Sequence, residues 1–123
     1  MKRLLIWIAA FALIAAASTS ASAACRTSGR FSIASAGPWP MGLTTASGKP
    51  CSSSYQLNFP GTHLYIASNP EHGRVALREG GHYTYVPAAG YRGADTFALK
   101  LCGRIAGAQA ESCTDLKYAV TVE

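Results

Sequence analysis

Acidic side chains are scarce in this chain: six Asp and Glu stand among 123 residues. Glu71, Glu79 and Glu111 fall in turn and loop stretches, so the paired carboxylates of acid–base or glycoside chemistry have no support. No DxD or DxN cluster supplies the several oxygen ligands that calcium requires. His63, His72 and His82 stand apart, without HxH or HExxH spacing, and read as surface or turn histidines. The serines cluster in turns, away from any base that would activate a nucleophile. No catalytic, cofactor-binding or metal-binding set is therefore expected, and the chain reads as a non-enzyme. Basic residues never run together with interleaved aromatics, which argues against nucleic acid as a partner. Past the N-terminal stretch, a convincing 3.6-residue period is missing too, which argues against helices.

What is present begins with a targeting segment. Lys2 and Arg3 precede an unbroken apolar run from Leu4 to Ala17, and Ala21-Ser22-Ala23 is a small-x-small cleavage site. Such a run rises about 21 Å as a helix, short of the ~30 Å hydrocarbon core. Residues 1–23 are expected to be a signal peptide cleaved after Ala23, with a retained anchor as the rival reading. A second rival is lipidation at Cys25, although Ser22 stands where a lipobox carries a large aliphatic residue. Cleavage leaves residues 24–123 as a single domain, and loss of Lys2 and Arg3 lowers the net charge from +5 to +3. No later stretch is long enough to span a membrane as a helix.

The stretch from Asn69 to Lys100 organises the rest. Asn69-Pro70-Glu71-His72-Gly73 is turn chemistry, with Gly73 expected to take the positive φ that ends such turns. Arg74 to Arg78 and His82 to Val86 alternate apolar and polar, around Glu79-Gly80-Gly81. Placing Val75 opposite Tyr85 and Leu77 opposite Tyr83 puts both apolar sets on one face, a register that needs a three-residue loop. Residues 88–94 form a loop that Asp95 closes, its carboxylate expected to accept N–H bonds from that loop. Phe97, Leu99 and Leu101 then face inward.

Pro70, His72-Gly73-Arg74-Val75, Tyr83-Thr84-Tyr85, Pro87, Gly90-Tyr91, Gly93, Asp95 and Phe97 together resemble the bacterial Ig-like and cadherin-like repeat pattern. The match covers about 28 residues closely and the remainder loosely. The resemblance implies an antiparallel β-sandwich of a kind common in bacterial surface proteins. Gly73, Gly90, Gly93 and Asp95 read as loop-structuring residues. The expected fold is all-β, an Ig-like sandwich of about seven or eight short strands with regularly spaced turns.

Four cysteines, Cys25, Cys51, Cys102 and Cys113, lie beyond the leader, which implies an oxidising compartment and two disulfides. A hairpin with Cys102 opposite Cys113 also sets Leu99 opposite Leu116 and Phe97 opposite Tyr118, on the apolar face. It sets Lys100 opposite Asp115 on the other face, an opposite-charge pair. This register pairs Cys102 with Cys113 and, by default, Cys25 with Cys51. The alternative is Cys51–Cys102 across the sandwich.

Residues 24–50 carry the weakest pattern. Phe31 and Ile33 suggest a first strand, Gly37 to Pro40 an irregular loop, and Met41, Leu43 and Thr45 a short edge strand. Tyr55, Leu57 and Phe59 are expected inward, as are Leu64 and Ile66, with His63 and Tyr65 outward.

These features fit an exported module of the cell envelope, periplasmic or extracellular, with a binding or structural role toward an unknown protein or glycan. Candidate contacts are Trp39, Tyr65 and Tyr91. For Trp39 the competing reading is a plug over an open end of the sandwich, and Tyr91 also has a structural reading. The alternative function is a small secreted inhibitor or effector acting through a rigid loop, with 36–42 and the disulfide-tied 103–112 as candidates. A third is donation of the final strand, Leu116 to Val122, to a partner's sheet.

Overall fold

A computed structural model describes residues 25–55 and 61–123. The expected signal peptide, and the inward positions assigned to Leu57 and Phe59, lie outside the described residues. Among the described residues, eight strands follow in order: β1 (Arg26–Gly29), β2 (Trp39–Thr45), β3 (Cys51–Ser54), β4 (His63–Ser68), β5 (Gly73–Arg78), β6 (His82–Pro87), β7 (Gly93–Gly103) and β8 (Ser112–Val122). They form a five-stranded sheet, β1-β2-β8-β7-β4, packed on a three-stranded sheet, β3-β6-β5. Every pairing is antiparallel except β2 with β8, which run parallel. No helix is present among the described residues.

Two hairpins set the frame, and both follow from side-chain alternation. In β5–β6, Val75 pairs with Tyr85 and Leu77 with Tyr83, across a loop closed by the Arg78–His82 pair. In β7–β8, Phe97 pairs with Tyr118, Leu99 with Leu116, Lys100 with Asp115 and Cys102 with Cys113. The inward residues of both hairpins meet between the sheets. The rings of Tyr85, Phe97 and Tyr118 stack in sequence, with centroids 5.7 Å and 4.5 Å apart and planes within 8°. Leu43, Leu99, Leu101, Leu116, Val120 and Val122 complete a core that is at most 2% exposed at each of these positions. Burying a side chain of this size stabilises the fold by roughly 1.5–3 kcal/mol.

Two phenols at this core are paired with each other. The Tyr55 and Tyr118 hydroxyls share a short hydrogen bond. Burial raises the pKa of Tyr55, Tyr83 and Tyr118 above the ordinary phenol range, since the charged form would sit in a poorly solvated interior. Among the described residues, no buried side-chain nitrogen or oxygen lacks a partner.

The N-terminal third departs from its sequence reading. The first strand is Arg26–Gly29, not the segment around Phe31 and Ile33. All four of its residues are exposed, so no apolar alternation marks it. Pairing with β2 and the adjacent Cys25–Cys51 disulfide hold it in place. Phe31 and Ile33 instead pack inward from the turn that follows. β2 is no edge strand, because β1 and β8 flank it and bury Met41, Leu43 and Thr45. Its first two residues, Trp39 and Pro40, lie beyond the last β1 pair, Gly29 with Met41, where a missing N–H is tolerated. Residues 36–42 are therefore largely strand rather than a protruding loop.

The disulfides join Cys25 to Cys51 and Cys102 to Cys113, with Cα separations of 5.3 Å and 4.1 Å. The first links the β1 margin of one sheet to β3 of the other. The second ties adjacent strands at the base of the 104–111 loop. With its sulfur bonded to Cys51, Cys25 carries no lipid in this arrangement. β8 is paired along both sides, which removes the final strand as a donor to another sheet.

Candidate functional site

The sheet margin at β4 gathers the exposed chemistry. Among the described residues, β4 ends the five-stranded sheet and pairs with β7 alone. Tyr65 is 51% exposed, on the outer face opposite Lys100. Ile66 was expected inward beside Leu64. It shares that side of the strand, opposite Leu99, yet is 37% exposed. The ladder shifts register between Ile66 and Ser68, a β-bulge or irregularity beside Ile66. β-Bulges of this kind bend a strand and interrupt its pairing.

At the other end of β4, His63 is held from two sides. Its Nδ1–H donates to the Gly61 carbonyl at 2.6 Å, and Nε2 lies 2.7 Å from Glu111 Oε1. The Tyr65 ring meets it edge-on, with centroids 4.9 Å apart. Glu111 and Arg104, from the 104–111 loop, share with His63 and Gly61 an open cavity of about 490 Å³. Cys102 lies beside this group, 1% exposed and bonded to Cys113. Sequence spacing gave no sign of the grouping, because its members come from β4, β7, a loop and β8.

The other candidate contacts are engaged within the fold. Trp39 is partly buried against the core, and its indole N–H donates to Thr114 Oγ1 at 2.8 Å. Thr114 in turn donates to the Ser35 carbonyl at 2.6 Å. Packing and this hydrogen-bond chain tie Trp39 into the fold. Tyr91 stacks flat on His72, with centroids 4.1 Å apart and planes within 3°. Its hydroxyl donates to the Ala94 carbonyl across its own loop. The buried Thr114 was legible in principle: the register that pairs Cys102 with Cys113 sets Thr114 opposite inward-facing Leu101.

Asp95 is a clasp, though not for the loop expected. Its Oδ1 accepts from Glu71 N and Thr96 N at 3.1 and 2.9 Å, and its Oδ2 from His72 N and the Tyr85 hydroxyl at 3.1 and 2.7 Å. The carboxylate thus fastens the 69–73 turn to β7, where its own 88–94 loop was expected to supply the donors. Burial, and secondarily this carboxylate, hold the Tyr85 phenol well above its ordinary pKa. Gly73 also differs from expectation: its φ is not positive. A Cβ there would lie 2.5 Å from the Val86 carbonyl oxygen and 2.9 Å from the Tyr85 hydroxyl, so close approach is what demands glycine. Gly90 and Gly93 do adopt positive φ, at 76° and 132°.

Two facing sheets joined around a stacked aromatic core, with β2 running parallel to β8, define an Ig-like sandwich. Residues 40–113 match the sequence profile of the bacterial Ig domain family, and the chain belongs to that family. Comparison with curated proteins finds no match.

Proposed function

We propose that the chain is an exported, non-enzymatic Ig-like module of the bacterial cell envelope, working in the periplasm or outside the cell. Residues 1–23 are its signal peptide, and residues 24–123 the mature domain. The observation that carries this reading is the double disulfide staple on an Ig-like sandwich, a combination suited to an oxidising compartment. The side chains with most chemical potential also serve the fold: Asp95 holds a turn, and the four cysteines are bonded. The role is to bind a protein or glycan, or to space and support neighbouring envelope components. Of the three aromatic candidates, Tyr65 offers the most open surface, on the outer face of β4.

Cell fractionation with intact-mass measurement tests the export reading. The expected product is found outside the cytoplasm, begins at Ala24 and has no free thiol. An uncleaved, reduced chain in the cytoplasm contradicts it. For the binding role, Tyr65→Ala is expected to weaken retention on a glycan array or on a purified envelope partner about tenfold, with circular dichroism unchanged. Unaltered retention removes Tyr65 from the contact surface.

A further inference from the structure

One corner of the sandwich brings together four side chains capable of holding a metal. His63 opens β4, Cys102 lies near the end of β7, Glu111 ends the following loop and Cys113 lies near the start of β8. The ligand atoms of His63, Cys102 and Glu111 all lie within 4.8 Å of one another, and Cys113 Sγ is bonded to that of Cys102. The imidazole is already oriented as in metal centres: Nδ1–H donates to a backbone carbonyl, leaving Nε2 turned toward Glu111. While the sulfurs are bonded to each other, only the imidazole and the carboxylate are effective donors, since it is the thiolate that ligates metal. Separating the sulfurs completes a set of one nitrogen, one oxygen and two sulfurs, the four-coordinate complement zinc accepts. Thiolates select against calcium and magnesium. Two thiolates and a carboxylate exceed the charge of a divalent ion by one, and Arg104 on the same cavity supplies the balancing positive charge.

We propose that reduction of the Cys102–Cys113 disulfide converts this corner into a mononuclear zinc site, with His63 Nε2, both sulfurs and Glu111 as ligands. Disulfide and metal are then alternative locks on the β7–β8 hairpin. A dithiol reductant donates two electrons, which break the S–S bond, and is itself oxidised to a disulfide. The two cysteine sulfurs bind Zn²⁺ as thiolates, and the two protons of the reductant pass to solvent. Cys113 is exposed, so the reductant has access to the bond.

Cobalt(II) is the probe. Oxidised protein is expected to give no thiolate-to-cobalt charge-transfer absorption. After reduction, one equivalent of Co²⁺ is expected to give that absorption together with the visible bands of a tetrahedral centre, and Zn²⁺ to abolish both. The signal is expected to survive in Cys25→Ser/Cys51→Ser and to vanish in Cys102→Ser/Cys113→Ser. His63→Ala and Glu111→Gln are each expected to weaken cobalt binding about tenfold or more. Absence of the bands in reduced protein overturns the proposal. So does their persistence in Cys102→Ser/Cys113→Ser, or unchanged affinity in both single variants. Should Cys25→Ser/Cys51→Ser fail to fold, fully reduced wild-type protein serves, with Cys102→Ser/Cys113→Ser as its control.

Discussion

Asp95 shows how one side chain can hold several parts of a small sandwich. It is 6% exposed and accepts four hydrogen bonds, three from backbone N–H groups and one from Tyr85. Asp95→Ala leaves those donors without their acceptor, and is expected to cost about 3 kcal/mol or more in urea unfolding. Asp95→Asn keeps an acceptor for the Oδ1 donors and is expected to cost less, roughly 1–2 kcal/mol. Equal, negligible losses would show that the clasp is dispensable. That Asp95 structures a loop was legible in the sequence. Which loop was not, because its partners lie in the 69–73 turn, and that proximity exists only once β5 and β7 belong to facing sheets. Trp39 is a similar case: a Pro-bracketed aromatic looks like a loop tip until Thr114, distant in sequence, appears as its partner.

The elements divide by whether one face is apolar. The β5–β6 and β7–β8 hairpins alternate, and a one-residue slip would turn every apolar side chain outward, so their registers were readable. β1 and β3, Arg-Thr-Ser-Gly and Cys-Ser-Ser-Ser, carry no such pattern, and their places follow from neighbouring strands and the disulfide between the sheets. β2 was read as an edge because parallel pairing with β8 leaves no local mark. Two glycines separate two physical requirements at the level of elements. Gly73→Ala is expected to lose roughly 1–3 kcal/mol by forcing β5 away from β6, since its Cβ meets backbone. Gly90→Ala meets nothing within 4 Å, and is expected to lose roughly 1–2 kcal/mol through left-handed backbone strain alone. Amide chemical shifts separate them, because only Gly73→Ala should perturb the signals of both strands. If it leaves β6 undisturbed, close approach is not the reason for glycine.

At the scale of the whole molecule, four phenols lie in or against the core, and this sets its response to base. Tyr55, Tyr83, Tyr85 and Tyr118 all have pKa values raised above the ordinary value of 10.0, chiefly by burial. Unfolded, these phenols lose protons near pH 10, whereas the fold keeps them protonated. The unfolded state therefore binds fewer protons above that pH. Stability from these groups is fully present below about pH 10 and falls above it, by about 1.4 kcal/mol per pH unit for each phenol concerned. Unfolding free energy measured across this range, with tyrosinate absorbance followed in parallel, should show the four ionising only as the protein unfolds. Reversible ionisation of all four in folded protein would contradict a closed core.

The architecture itself is tested most directly by proteolysis of the folded, unreduced protein and mass analysis of the linked peptides. The sandwich described here yields one pair of peptides joined through Cys102 and Cys113 and another through Cys25 and Cys51. A peptide pair joined through Cys51 and Cys102 would contradict it, since Cys102 would then have to leave its place opposite Cys113 in the β7–β8 register.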